Sequence, residues 1–320
     1  MSLLVTGAPR TRIVLRRRDR RRDEPDQDCG CGSLGVVKIL YQFSNLIGSG
    51  QMLDQLIRIA QSAGDVILDI YGSQDVGVSH KGDGSPVTLA DASAEAVILQ
   101  ALAELFPDIP VVAEEAFEAG ECPDVGDRFF LVDPLDGTKE FISRNGEFTV
   151  NIALIEDGQP VAGVVYAPAL GVMYAGDRDG ARSSQLGADG VFSAWTPLKA
   201  AAPSREGLRV VASRSHMGTE TSDYLARFQV ADLVAAGSSL KLCKVAGGEA
   251  DLYPRLGRTM AWDIAAGDAV LRAAGGMVRG MQGEPFSYHP SRVPGDTVFA
   301  NPWFVASGAF DPTSFERATA

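Results

Sequence analysis

From residue 52 onward, apolar positions fall into patterns that change period along the chain. The segment MLDQLIRIAQSAGDVILDIYG places Leu53, Leu56, Ile57, Ala60, Ala63, Ile67, Leu68 and Tyr71 at helical spacing and is closed by Gly72. A second helix is expected from about Asp91 through DASAEAVILQALAELF, with Asp91 as its cap and a stop before Pro107. IPVVAEE reads as a short buried strand ending in two acids, and RFFLVDPLDGT as a strand broken by a Pro-bearing turn. EFTVNIALIEDGQPVAGVVYAPALGVMYAGD reads as successive antiparallel strands turning at Asp157-Gly158 and at Gly180. A strand at LRVVAS and a helix at SDYLARF follow, then a helix at WDIAAGDAVLRAAGG, opened by Asp263 and ended by Gly275 and Gly276. Helices and strands alternate irregularly and hairpins are present. This predicts a layered α/β (α+β) sandwich with mixed sheets rather than a doubly wound parallel one. No internal repeat is visible.

The segment before Met52 follows another rule. LRRRDRRRDEPDQDCGCGSLG has no apolar periodicity, and Asp19, Asp23 and Glu24 count against an organellar transit peptide. No apolar stretch follows the Arg run as a secretory signal requires. Residues 1–51 are therefore expected to be a disordered extension or a mis-assigned start, with Met52 the natural beginning. Residues 52–320 are expected to form a single domain of two fused α/β lobes.

Composition narrows the chemistry. Hydrophobic residues make up 45% and charged residues 22% of the chain, ordinary for a water-soluble fold, and no run approaches the roughly 20 apolar residues of a spanning helix. Residues 1–50 hold nine Lys or Arg against five Asp or Glu, which leaves 20 basic and 36 acidic residues in the rest, a net of −16. A body this acidic argues against a general nucleic-acid binder and suits a protein that concentrates acids to hold cations. Cys29, Cys31, Cys122 and Cys243 have no zinc spacing, so free thiols in a reducing compartment are expected. His80, His216 and His289 are the three histidines, none in a metal-ligand spacing. Acid–base or metal chemistry therefore falls to carboxylates.

The most informative stretch is FFLVDPLDGTKEF, residues 129–141. An apolar strand delivers Asp133 at its end, Pro134 forces a turn, Asp136 follows, and Gly137 leads into what looks like a helix start at Thr138. Two acids beside backbone N–H groups could hold both a cation and an anion, although a lone D-P-x-D-G is more often a capped turn. Glu114 and Glu115 end another strand, and Asp91 and Asp263 open helices; each alone is more often structural. If they converge, two unit charges 4 Å apart repel by about 4 kcal/mol at an effective dielectric of 20. Such a cluster needs cations or raised pKa values, and hard oxygen ligands select Mg²⁺, Mn²⁺ or Ca²⁺ over Zn²⁺.

Through KGDGSPVTLAD, VVAEE, VDPLDGT, GSSLK and WDIAAGDAVL, in this order, residues 52–310 resemble the inositol monophosphatase-like superfamily of Mg²⁺-dependent, Li⁺-sensitive phosphatases. The resemblance implies the sugar-phosphatase fold and two or more Mg²⁺ ions, with Li⁺ expected to inhibit. It places metal ligands on Glu114, Asp133, the backbone carbonyl of Leu135, Asp136 and Asp263. It places the activation of the attacking water on Asp91 and Thr138, with Glu115 as a supporting acid. Lys139-Glu140-Phe141 after the DGT, together with GSSLKLC and DLYPRLG, point away from inositol toward the 3′(2′),5′-bisphosphate nucleotidase branch, the bacterial CysQ type. Gly137, Thr138, Ser238, Lys241 and Arg255 are then the implied substrate contacts. The implied reaction is hydrolysis of adenosine 3′,5′-bisphosphate to AMP, with 3′-phosphoadenylyl sulfate as an alternative substrate, in sulfate assimilation. The branch also implies a cytoplasmic enzyme that can attach peripherally to the inner membrane and can form a homodimer. The rival readings are an inositol or sugar monophosphatase with the same metal site, and a non-catalytic regulator that keeps the fold.

Overall fold

The computed structural model describes residues 52–73, 76–82, 84, 86–212, 218–290 and 296–315. The described residues all fall in one compact unit. The expectation for residues 1–51, with the Arg-rich segment on which a peripheral membrane contact would rest, lies outside the described residues. Among the described residues no helix is long and apolar enough to cross a membrane.

Helix α1 (Met52–Tyr71) buries Leu53, Leu56, Ile59, Ala60, Ala63 and Ile67. The stripe is rotated slightly from the predicted one: Ile59 is fully inside, while Ile57, Leu68 and Tyr71 sit at its edge. A two-strand hairpin, β1 (Ser79–His80) and β2 (Pro86–Val87), precedes α2 (Leu89–Leu105). The seven-stranded sheet runs β3 (Val111–Ala113), β4 (Arg128–Asp136), β5 (Thr149–Glu156), β6 (Gln159–Ala167), β7 (Val172–Asp177), β8 (Gly180–Gln185) and β9 (Thr196–Leu198), in that spatial order. Its β3–β4 pair is parallel and the others are antiparallel. Short helices α3 (Glu114–Glu118) and α4 (Thr138–Ile142) follow β3 and β4.

The second sheet has five strands, built from β10 (Leu208–Ala212), β11 (Val230–Ala235), β12 (Leu252–Arg255), β13 (Met277–Gly280) and β14 (Phe304–Ser307) in the spatial order β11-β10-β12-β14-β13. It too is mixed. Helix α5 (Thr219–Leu225) packs on its outer side through Tyr224, Leu225 and nearby Phe228. Helices α6 (Leu240–Ala246) and α7 (Ala261–Ala273) lie between the sheets, in a core that includes Phe129, Val165, Leu242, Trp262 and Phe304. The layers thus alternate helix, sheet, helix, sheet, helix, as the expected mixed sandwich of the sugar-phosphatase type requires.

The sandwiched position explains why α7 has no apolar stripe: ten of its thirteen residues are buried, many of them Ala or Gly. Its closeness to the sheet depends on two glycines. A Cβ at Gly163 of β6 would stand 2.6 Å from the Ala266 carbonyl oxygen, and one at Gly176 of β7 would stand 2.8 Å from the Val270 Cα. Side chains alternate across a strand, so Tyr166, three residues beyond Gly163, points to the opposite face, where it meets α1 at Gly64. Gly163 and Val165 of β6, and their register partners on β5 and β4, therefore face α7.

The structure corrects several boundaries. Asp91 and Asp263 do not cap their helices. Thr88 is the N-cap of α2, Met260 occupies that place in α7, and each acid sits three residues later with its carboxylate reaching back to the cap N–H. Strand β4 does not stop at Pro134 but runs to Asp136, with its pairing irregular between Asp133 and Asp136. Glu114 and Glu115 open α3 rather than end a strand. The helix expected at 222–228 starts earlier, at Thr219.

Candidate active site

Four elements bring acids to one end of the large sheet. Asp133 and Asp136 come from the end of β4, Glu114 and Glu115 from the start of α3, Asp263 from the first turn of α7, and Asp91 from the first turn of α2. β3 and β4 are parallel neighbours, so Glu114 emerges beside Asp133. Helix α7 runs along the same sheet face and adds Asp263.

The electrostatic consequences are large. Asp133 is 2% exposed; burial, then the charges of Glu114, Asp136 and Asp263, push its carboxyl well above the usual range. Its carboxyl hydrogen-bonds that of Glu114, an arrangement that favours the proton on Asp133. Burial, followed by Asp136 and Glu114, pushes Asp263 up to about 8. Burial also raises Asp136, with Lys241 acting in the opposite direction. This is a carboxylate cluster with too little positive charge of its own.

Each acid is meanwhile engaged with protein donors. The Leu135 N–H donates to Asp133 Oδ1 at 3.0 Å, the Met260 N–H to Asp263 Oδ2 at 2.8 Å, and Ser239 to the Asp136 carboxylate. The Lys81 ammonium stands 2.7 Å from both Glu114 Oε1 and Glu115 Oε1, and 3.0 Å from Glu118 Oε2. Although burial opposes its charge, Glu114 and Glu115 keep Lys81 protonated. Among the described residues no group of three or more His, Cys, Asp or Glu side chains stands ready-made to hold an ion. The donor chemistry nevertheless fits a hard divalent cation: several carboxylate oxygens, no thiol and no imidazole.

Beside the cluster lies a hydroxyl–carboxylate pair. Thr138 Oγ1 donates to Asp91 Oδ1 at 3.1 Å, while the Thr88 N–H and hydroxyl donate to Asp91 Oδ2 at 2.8 and 2.7 Å. Burial raises the Asp91 carboxyl and the Thr88 and Thr138 hydrogen bonds oppose the rise. Glu115 is pushed up to about 7 by burial, with Lys81 opposing.

Two supports were missed by sequence reasoning. Lys81 lies within KGDGSPVTLAD but carried no role. Glu95, one turn after Asp91 on α2, accepts from the Glu115 and Ala116 N–H groups at 2.9 and 2.8 Å. It satisfies the start of α3, for which the preceding Ala113 offers no side chain. The i, i+4 spacing of Asp91 and Glu95 on one helix face was the available signal.

The residues expected to contact substrate divide into two kinds. The Ser238 hydroxyl faces the backbone carbonyls of Asp136 and Glu147 at 2.8 and 2.7 Å, with φ +47°, so it ties loops together. Gly137 has φ +94°, and an added Cβ would collide with the Ser238 hydroxyl. Lys241 Nζ donates to the Ser238 carbonyl at 2.9 Å and lies 5.8 Å from the Tyr253 ring centroid. Arg255 Nη2 donates to the Arg258 carbonyl at 3.1 Å, while its buried Nε has no hydrogen-bond partner among the described residues. The charge of Lys241 reaches Asp136, and that of Arg255 reaches Asp263.

Comparison with known proteins places the chain in a family. Residues 50–306 match the inositol monophosphatase family. The 3′(2′),5′-bisphosphate nucleotidase CysQ of Escherichia coli (strain K12) is 46% identical over 260 residues, covering 80% of this chain and 99% of that protein. The CysQ of Salmonella typhimurium is 47% identical over 257 residues, covering 79% and 98%. Among solved structures, CysQ from Bacteroides thetaiotaomicron superposes with a TM-score of 0.66 at 38% identity, covering 85% of this chain and all of that one. The Thermotoga maritima IMPase superposes with a TM-score of 0.62 at 26% identity, covering 80% and 92%. A family match across residues 50–306, most of the chain, makes this protein a member of the inositol monophosphatase family.

Proposed function

We propose that the protein is a Mg²⁺-dependent 3′(2′),5′-bisphosphate nucleotidase that hydrolyses the 3′-phosphate of adenosine 3′,5′-bisphosphate to give AMP. 3′-Phosphoadenylyl sulfate is a second substrate, and the setting is sulfate assimilation. One observation carries the reading: carboxylates from β4, α3 and α7 converge beside a Thr138–Asp91 pair, where burial and then their mutual charges raise the pKa of Asp133 and Asp263, in a chain 46% identical to a curated nucleotidase across 80% of its length.

Glu114, Asp133, Asp136, Asp263 and the Leu135 carbonyl are the proposed ligands of two or more divalent ions. Bound there, such ions supply neutralisation of phosphate oxygens and of the leaving alkoxide, and acidify a water. The chain's own residues do the rest. Thr138 directs its proton to Asp91 and so turns an oxygen lone pair outward, where it can accept a hydrogen bond from the attacking water. Asp91, held by two donors from Thr88, is the acceptor at the end of that relay. Lys81 keeps Glu114 and Glu115 fixed, and Glu115 supports its neighbour Glu114.

Specificity falls to Lys241 and Arg255. A bisphosphate carries a second phosphate that is not cleaved, and it needs cations outside the reacting centre. The Arg255 guanidinium, whose Nε has no hydrogen-bond partner among the described residues, is a cation suited to that role. Phosphate release from adenosine 3′,5′-bisphosphate and from inositol 1-phosphate, each with and without Mg²⁺, tests the proposal. A Mg²⁺-dependent preference for the nucleotide is expected. Preference for the inositol ester would make the protein a monophosphatase with the same centre, and no activity on either would favour a regulator that keeps the fold.

A further inference from the structure

Strand β5 contributes no acid to the centre, yet its inward face is polar where it passes the end of β4. Asn151 is the register partner of Asp133 and Thr149 that of Asp136. Both lie on the side of the sheet that faces α7, followed on the same face by apolar Ala153 and Ile155. Asn151 is 1% exposed, and its two polar ends are treated differently. The amide Nδ2 donates to Ser239 Oγ at 3.0 Å, while Oδ1 has no hydrogen-bond partner among the described residues. A half-satisfied buried amide destabilises a fold compared with an apolar side chain of similar size. Packing alone therefore does not account for it.

Ser239 explains where the amide's influence goes. It stands at the N-cap of α6 but does not cap that helix. Its hydroxyl instead donates to the Asp263 carbonyl, and its N–H and hydroxyl both lie in hydrogen-bonding range of the Asp136 carboxylate. A serine hydroxyl has one proton and two lone pairs. With the Asn151 amide donating into the oxygen, the proton is directed away from β5, toward Asp263 and Asp136.

We infer that Asn151 and Ser239 are positioning residues of the proposed metal centre: through their hydrogen-bonded pair, β5 sets the placement of Asp136 at the end of β4 relative to Asp263 in the first turn of α7. The inference rests on the ion-binding reading above. Hydrogen bonds behind metal ligands typically contribute ten- to hundredfold to affinity, and that is the effect expected here.

Calorimetric titration of the full chain with Mn²⁺, without substrate, measures the effect directly. Asn151→Leu, which removes the half-paired amide at similar volume, is expected to bind Mn²⁺ about tenfold or more weakly while unfolding at a temperature no lower than the metal-free wild type. A structural role alone does not produce that split. Ser239→Ala is expected to weaken binding similarly, the double variant no further than the single ones, and Ser239→Thr, which keeps the hydroxyl, to restore it. Thr149→Val, which removes a neighbouring buried hydroxyl without a partner among the described residues, is expected to bind as wild type. Wild-type affinity in Asn151→Leu, or equal weakening in Thr149→Val, would overturn the inference alone. A wild type that binds no Mn²⁺ would overturn the metal reading and this inference with it.

Discussion

Helix α7 carries two acids five residues apart, and they meet opposite surroundings. Asp268 accepts from Arg272 Nε at 2.8 Å and from the Tyr288 hydroxyl at 2.9 Å. Arg272 in turn reaches Gln159 on β6 at 2.6 Å. Asp263 faces Asp136 and Glu114 and receives one backbone N–H from Met260. Burial raises both carboxyls, but the next influence lowers Asp268 through Arg272 and raises Asp263 through Asp136. A buried acid with its cation built in is a fastening of the fold. One placed among like charges is stable as an anion only when something positive arrives from outside.

Substitutions at the two kinds of site should separate stability from activity, and this is the largest expected effect. Asp136→Asn should lower phosphate release by about 10³-fold, the loss of several kcal/mol of transition-state stabilisation, with no drop in metal-free thermal stability. Asp268→Ala should cost about 3–5 kcal/mol in urea unfolding, because it strands Arg272, while activity per folded molecule survives. If Asp136→Asn unfolds the chain and Asp268→Ala silences it, the comparison is wrong.

Proton linkage sharpens it. The folded carboxyl of Asp263 has its pKa raised from 3.8 to about 8, so between those values the native state holds a proton that the unfolded chain releases. Metal-free stability should therefore be fully present below about pH 4 and fall as pH rises toward 8, by up to about 1.4 kcal/mol per pH unit for such a carboxyl. Mg²⁺ should flatten that slope, as should Asp263→Asn; thermal unfolding across pH reads both. At fixed pH, Mg²⁺ at about 100 times its Kd should stabilise the wild type by about 2.7 kcal/mol and leave Asp133→Asn unmoved. A smaller effect is expected at Lys241→Ala: KM for adenosine 3′,5′-bisphosphate rises about tenfold, the loss of one charge-assisted contact, while a simple phosphate ester is cleaved as before.

Much of the centre was legible because its acids sit at places where patterns change. Asp133 ends an apolar run, Asp136 precedes Gly137, and Asp91 and Asp263 stand at helix starts. The cap assignments for Asp91 and Asp263 missed by a few residues because an acid at the third helical position satisfies the same N–H as a cap does. What the pattern could not show was contact between distant segments. Lys81 reaches α3 from 33 residues away in sequence, and Asn151 reaches Ser239 from 88. Within TVNIALIE, Asn151 is a single polar residue in an apolar run, and only the register with β4 places it opposite Asp133. Helix α7 lacked an apolar stripe because both its sides are buried, so its closeness to the sheet came from glycines on β6 and β7 rather than from its own sequence.

The central claim is that the like-charged cluster works only with a divalent cation. Its most direct test is phosphate release from adenosine 3′,5′-bisphosphate as Mg²⁺ is titrated into metal-stripped wild type and into Asp136→Asn. The account predicts no turnover in the stripped enzyme, saturable restoration by Mg²⁺ in the wild type, and no comparable restoration in the variant. Full turnover without added metal in the presence of a chelator, or equal Mg²⁺ response in Asp136→Asn, would contradict it.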